Sequence, residues 1–120
     1  MRPPENLDVW KKSIDFVVAI YKATGNFPKE EKFGLTSQLR RAAVSIPANI
    51  AEGAGRRTDR EFGRFLSNSQ GSASEVDTEL LIANRLNFLI NDDFSALRSS
   101  LDEIGRMLTG LSQHVQKKSQ

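Results

Sequence analysis

The chain has 120 residues, 38% hydrophobic and 27% charged, with a formal net charge of +2 at pH 7, which suits a single domain over residues 1–120 with its own core. Because it contains no cysteine, disulfide bonds, thiol nucleophiles and thiolate metal sites are excluded. The start lacks the apolar run of a signal peptide and no stretch approaches the ~20 apolar residues that span a bilayer, so we expect a cytoplasmic protein with no membrane partner.

The first predicted helix covers residues 8–24. Asn6 or Asp8 offers a side-chain oxygen that can cap its free N–H groups. Large apolar side chains at i, i+4, i+7, i+8 and i+11 fall on one helical face: Trp10, Ile14, Val17, Val18 and Tyr21. Gly25 and Asn26 end the helix, and we expect the glycine to adopt the left-handed conformation. Phe27-Pro28 then turns the chain.

The second predicted helix covers residues 33–54 and contains a proline. Its apolar stripe is Leu35, Leu39, Ala42, Ala43, Ile46 and Ile50. Pro47 removes one backbone hydrogen bond, so the segment is either one kinked helix or two helices that meet at Ser45-Ile46. The apolar period stays in phase across Pro47, which favours the single helix.

The third predicted helix covers residues 58–88 and opens with a capping box, in which Thr58 and Glu61 satisfy each other's backbone N–H groups. Its stripe is Phe62, Phe65, Leu66, Ser69, Ala73, Val76, Leu80, Ala83 and Asn87. Gly71 and several serines lower the intrinsic helix propensity. We therefore expect this helix to depend on packing, with a neighbouring helix close to it.

The fourth predicted helix covers residues 92–115, with Asn91-Asp92 as its cap. Apolar residues alternate at spacings of three and four, as in a coiled-coil seam: Phe94, Leu97, Leu101, Ile104, Leu108, Leu111 and Val115. Residues 116–120 are polar, and we expect them to fray. No segment has the pattern of a strand. The sequence therefore predicts an all-α protein, an antiparallel up-down-up-down four-helix bundle.

Catalytic chemistry has little support in the sequence. The lone histidine, His114, is expected on the surface, and the Glu-x-x-His motifs of di-iron bundles are missing. Glu75 and Glu79 could bind a divalent metal, but a solvated or salt-bridged helix face is the preferred interpretation, with Arg85 as one partner. Gly53 and Gly55 have no lysine at phosphate-loop spacing and are expected to end a helix. We expect no enzyme and no cofactor.

The middle of the chain is rich in arginine. Residues 35–64 hold six arginines against three acids, a local net charge of +3. Four arginines lie around the start of the third helix (Arg56, Arg57, Arg60 and Arg64), whereas Arg40 and Arg41 lie on the second helix and form a separate patch. Guanidinium groups fit phosphate oxygens, which indicates RNA or DNA binding. Three interpretations stay open: phosphate binding, intramolecular pairing with acids such as Glu52 and Glu61, and binding to an acidic protein.

Several segments together resemble a known family. They are Leu7-Asp8-Val9-Trp10, Phe27-Pro28, Phe33-Gly34-Leu35, the run from Gln38 to Gly53 that contains Ser-Ile-Pro-Ala-Asn-Ile-Ala-Glu-Gly, Phe62 to Leu66, and Gly71-Ser72. This pattern resembles the bacterial 23S rRNA intervening-sequence proteins over about residues 7–112. The run from Gln38 to Gly53 is the most specific part of the resemblance.

The resemblance implies a four-helix bundle that assembles as a homo-oligomeric ring, with a pentamer as the first expectation. A related branch, the accessory protein of diversity-generating retroelements, is a pentameric barrel that binds a reverse transcriptase and nucleic acid. The family name reflects gene location and does not establish rRNA binding. Within such a ring, four motif residues are candidates for an interface network: Arg40, Arg41, Asn49 and Glu52.

The predicted function is that of a non-catalytic, oligomeric four-helix bundle that binds RNA or DNA through its arginine patches. The alternative is a protein-interaction scaffold whose arginines only pair with acids within or between subunits. A metal-dependent enzyme would depend on Glu75 and Glu79 alone, which makes it the weakest of the three.

Overall fold

The computed structural model describes residues 3–4 and 7–118, and this part of the chain contains four α-helices and no strand. The helices are α1 (Asp8–Thr24), α2 (Leu35–Ala54), α3 (Asp59–Arg85) and α4 (Asn91–Lys118), with a single 3₁₀ turn at Lys29–Glu31 between α1 and α2. The predicted all-α class is confirmed. The predicted bounds differ most at the ends of α3 and α4, where the helices end at residues 85 and 118 instead of 88 and 115.

Each helix packs against two others, because α1 contacts α2 and α4, and α3 contacts the same two helices. Between α2 and α3, the Ser45 and Ser72 hydroxyls are 2.7 Å apart, and the Ser69 hydroxyl donates to the Ile46 carbonyl at 2.9 Å. The residue number rises along α2 as it falls along α3, so these two helices are antiparallel. The same holds for α3 and α4, which Asp77–Arg98 and Gln70–Thr109 join.

The helix ends follow the predicted chemistry only in part. The Thr58 hydroxyl accepts from the Glu61 N–H at 3.1 Å, which confirms Thr58 as the cap of α3. Asp8 is the first residue of α1 and its cap position is Leu7, which makes no side-chain bond; Asn6 lies outside the described residues. The expected left-handed Gly25 is wrong, because its φ is −61°.

The C-terminal end of α3 and both ends of α4 also differ from the prediction. Asn87, expected in the stripe of α3, lies beyond its end with φ +62°, a conformation that asparagine tolerates better than most residues. Asn91 opens α4 instead of capping it, and its side-chain oxygen accepts from the Asn84 amide at 2.8 Å. Residues 116–118, expected to fray, are helical.

Helix α2 is continuous across its proline. All six residues of its predicted stripe are buried, Pro47 lies inside the helix, and Ile46 and Ile50 on either side of it have no exposed surface. The single-helix prediction is therefore confirmed. The helix ends at Ala54 with Gly55 as its C-cap, as predicted, and Gly53 lies in its last turn, where a Cβ would be 2.7 Å from the Phe65 Cβ. Helices α2 and α3 thus approach each other closely at this glycine.

The apolar face predicted for α1 is not the face that enters the core. The buried residues are Val9, Ser13, Phe16, Ile20 and Thr24. Ile14, Val18 and Tyr21 are exposed, whereas Trp10 and Val17 are partly buried. The prediction was wrong because α1 is apolar on two faces and the spacing alone does not tell which of them meets α2 and α4.

Candidate nucleic-acid interface

The four arginines around the start of α3 form what we call the arginine surface: Arg56, Arg57, Arg60 and Arg64. Arg56 and Arg57 lie in the link after α2, and the other two lie on the first turns of α3; all four are exposed. Arg60 and Arg64 border one surface depression of about 630 Å³, together with Thr58 and Glu61. The short link and the Thr58 cap place these side chains at one end of the helix pair.

Arg56 is held within the chain. Its guanidinium donates to the Glu52 carboxylate at 2.6 Å, an i, i+4 pair, and its guanidinium carbon lies 4.8 Å from the centre of the Phe65 ring. The Arg64 guanidinium lies 5.5 Å from the same ring. Two cations therefore flank Phe65, which leaves this ring poorly placed to stack on a base. The arginine surface has the chemistry for phosphate contacts rather than base stacking.

The guanidinium groups of Arg57, Arg60 and Arg64 make no hydrogen bond or ion pair with any residue in the ranges 3–4 and 7–118. Arg60 and Arg64 are spaced i, i+4 and share one side of α3, and Arg57 lies in the link two residues before the helix begins. Asp59 and Glu61 lie in the first turn of α3 and offset part of the charge. Because the helix N-terminus is itself electropositive, this end of α3, with three arginines around it, stays attractive to anions.

Arg40 is part of the fold. Its Nε donates to the Thr24 hydroxyl at 2.8 Å and its Nη2 to the Tyr21 carbonyl at 3.3 Å, and its guanidinium stacks 4.6 Å from the Tyr21 ring. These contacts fasten α2 to the C-terminal end of α1, where a cation is favoured by the helix dipole. Arg41 is exposed and makes no such contact in the described part of the chain. The structure does not bring Arg40 and Arg41 together with the arginine surface.

Replacing Arg40 by alanine is expected to lower the free energy of unfolding by about 1–2 kcal/mol, because two hydrogen bonds and a stacking contact between α1 and α2 are lost. Arg41→Ala, its neighbour, should change stability by less than about 0.5 kcal/mol. Urea unfolding followed by circular dichroism checks both variants. Equal stability of the two variants would contradict the role assigned to Arg40.

The expectation that Glu75 and Glu79 lie on a solvated or salt-bridged helix face is wrong for Glu79. Its side chain is only 6% exposed, and its Oε1 has no hydrogen-bond partner in the described residues. Burial, followed by repulsion from Glu75 and a hydrogen bond with it, raises the pKa of Glu79 from 4.5 to about 7. Position 79 lies three residues after buried Val76 and four before buried Ala83, a spacing that could have revealed its burial.

The other acidic residues in the described ranges do not cluster as metal ligands would. Asp77 forms a two-point ion pair with Arg98, at 2.9 and 3.1 Å. No group of three or more histidine or acidic side chains that could hold a metal ion occurs among the residues described. His114 is exposed, as expected. No helix in the described ranges combines the length and apolar character required to cross a membrane.

Comparison with known proteins adds a family and a fold neighbour. The family model described as "23S rRNA-intervening sequence protein" matches residues 5–110. The crystal structure of a protein with unknown function from the S23 ribosomal protein family of Bacteroides thetaiotaomicron VPI-5482 is similar, with a TM-score of 0.78 and 25% sequence identity, over 87% of this chain and 97% of that chain. No curated protein matches the chain. The range matched by the family model includes all six arginines discussed above.

Proposed function

The chain belongs to the family of 23S rRNA-intervening sequence proteins, and from that premise we propose that it is a non-catalytic, self-assembling protein whose arginine surface binds the phosphate backbone of RNA or DNA. The proposed subunit is an antiparallel up-down-up-down bundle, and the proposed assembly is a homo-oligomeric ring, a pentamer in the first instance, in the cytoplasm. The observation that carries the binding proposal is the exposure of Arg57, Arg60 and Arg64 around one helix start, with guanidinium groups that form no ion pair with any described residue.

Phosphate is the ligand group that this surface fits best. Arginine presents several N–H donors in a planar fork that matches two phosphate oxygens. The Phe65 ring already contacts the guanidinium groups of Arg56 and Arg64. Stacking of an unpaired base on this ring would therefore add little to the affinity. Binding is therefore expected to follow phosphate charge and to vary little with sequence. Repetition of the surface around a ring would strengthen it through multivalency.

The test is fluorescence anisotropy of a labelled structured RNA and a labelled duplex DNA across a salt series. Changing Arg57, Arg60 and Arg64 together to glutamate is expected to weaken binding at least ~100-fold at 100 mM salt and to reduce the slope of log K against log salt by about 3 per subunit. Arg56 is left unchanged because it holds Glu52 and Phe65.

The matched control makes the same change of charge at the far end of the helices, with Lys29, Lys32 and Arg85 changed to glutamate. It should keep most of the affinity if the arginine surface is the binding site. Equal loss in both variants would indicate a general effect of net charge. No binding by the unaltered protein near physiological salt would overturn the nucleic-acid proposal.

The second candidate is a protein-interaction scaffold, and the contacts of Arg56 and Arg40 favour it, because two of the six arginines are engaged within the chain. Under this alternative, the unaltered protein binds neither nucleic acid, and the triple glutamate variant loses oligomeric mass where the arginines pair with acids of a neighbouring subunit. The anisotropy series and a light-scattering mass therefore separate the two functions.

A further inference from the structure

Helices α1 and α2 present an apolar ridge that is partly exposed in the described part of the chain. Four large apolar side chains lie on it, with exposed fractions of 37%, 49%, 44% and 41%: Ile14, Val18, Tyr21 and Val44. The first three share one face of α1 at i, i+4 and i+7. Contiguous exposed apolar surface is a recognised feature of protein–protein interaction sites.

The contacts of Arg40 show that the two helices contribute to one surface. Arg40 on α2 stacks on Tyr21 of α1, and Val44 follows one helical turn after Arg40. Since α1 and α2 pack side by side and are joined by a short link, Val44 lies beside the middle of α1, next to Val18. The four residues thus form one ridge along the seam between α1 and α2.

A groove lies between α3 and α4, on the opposite side of the molecule. Its volume is about 700 Å³, and small side chains form much of its lining, among them Ala73, Ser74 and Gly105. A Cβ added at Gly105 would meet no atom within 4 Å, so the groove is open at its middle. The two sides are opposite because α1 does not contact α3, and α2 does not contact α4.

Charge decides which surface the ridge can meet. Four cations and one acid lie on or beside the ridge, a balance of +3: Lys11, Lys22, Arg40, Arg41 and Asp15. Two ridges face to face would repel each other. The groove is lined by Asp77, Asp102 and Arg106, and Arg98 at Asp77 brings its balance to neutral. The groove therefore accepts the ridge with less repulsion than a second ridge would.

We propose that the ridge of one copy seats in the α3–α4 groove of a second copy of this chain, large side chains against a lining of small ones. This inference rests on the self-assembly in the proposed function and specifies its interface. A contact between two different surfaces on opposite sides of a subunit is heterologous, and it closes into a ring when the rotation between neighbours allows it.

The ridge is tested with Val18→Glu and Val44→Glu, measured by sedimentation velocity and light scattering. Both positions are exposed in the single chain, so circular dichroism should show an unchanged helix content. The dissociation constant of the assembly is expected to rise at least ~100-fold, because a charge would be buried among apolar groups. The control is Ile82→Glu, a similarly exposed isoleucine on α3 that lines neither surface, and it should keep the mass of the unaltered protein.

The groove is tested with Gly105→Leu, which adds a large side chain at the open middle of the groove, where a Cβ meets no atom within 4 Å. Replacing a helical glycine should leave the subunit as stable or slightly more stable, while the assembly dissociates. Gly110→Leu makes the same change on α4 outside the groove lining and should leave the assembly intact.

The outcomes separate the interface from the assembly itself. An oligomer that is unaffected by Val18→Glu and Gly105→Leu, or that dissociates only with the control variants, overturns the ridge-and-groove interface and leaves self-assembly standing. A monomer at all concentrations overturns both. Loss of mass with the ridge and groove variants alone, each with its subunit still folded, supports the interface.

Discussion

The substitution Glu79→Gln is expected to raise the free energy of unfolding by about 3 kcal/mol more at pH 8 than at pH 4. Burial is the main cause, and repulsion by Glu75 adds to it; together they raise the pKa of Glu79 from 4.5 to about 7. Glutamine has nearly the shape of the protonated acid and carries no charge. It therefore removes the cost of ionising a buried carboxyl group without opening a cavity.

The direction of the pH dependence follows from proton binding. Between pH 4.5 and 7 the folded chain holds the Glu79 proton and the unfolded chain has lost it, so raising the pH destabilises the folded state. The stabilisation from the raised pKa is complete below pH 4.5 and is lost as the pH rises to about 7. Above pH 7 both states are ionised at this position, and the difference between the two proteins is constant.

Urea unfolding of the two proteins from pH 4 to pH 8.5 measures this difference, and the contributions of acids that do not interact with Glu79 cancel in the comparison. Glu75→Gln is the control, because it removes the repulsion and leaves Glu79 buried. In this variant the free energy of unfolding should still fall as the pH rises, but by a smaller amount. A difference between unaltered protein and Glu79→Gln that is the same at every pH would show that Glu79 titrates normally.

How much of the fold could be predicted depended on how many apolar faces each helix has. In α2 and α4 one stripe dominates, and Leu39 and Ile104 lie fully buried where the spacing predicted them. In α1 two apolar faces compete, and the prediction selected the one that carries Val18. Periodicity locates a face within a helix, whereas the neighbours in the folded chain decide which face is covered.

For the six arginines, the sequence predicts where the residues lie along the helices but not which other residues they contact. Arg60 and Arg64 are four residues apart in α3, so helical spacing alone predicts their common side, whereas Arg57 lies just before the helix. The partners of Arg40 are on α1, sixteen and nineteen residues earlier, and no local pattern indicates them. The close contact between Gly53 and Phe65 could not be predicted for the same reason, because it depends on how α2 and α3 pack.

Replacing Gly53 by alanine is expected to destabilise the chain by about 2 kcal/mol. The new Cβ would lie 2.7 Å from the Phe65 Cβ and 3.0 Å from Phe62 Cδ1. Phe62 is buried, and the Phe65 Cβ is attached directly to the α3 backbone, so neither atom moves aside without a shift of the helix. Overpacking of this kind costs about 1–3 kcal/mol, which exceeds the gain of up to about 1 kcal/mol from replacing a helical glycine.

Gly71→Ala supplies the matched comparison, because a Cβ at Gly71 meets no atom within 4 Å. The same substitution there should stabilise α3 by about 0.5–1 kcal/mol. Urea unfolding of both variants should therefore give changes of opposite sign. Two stabilising changes would show that α2 and α3 separate at little cost. Phe65 also contacts the guanidinium groups of Arg56 and Arg64, so we expect Gly53→Ala to disturb the arginine surface as well as the core.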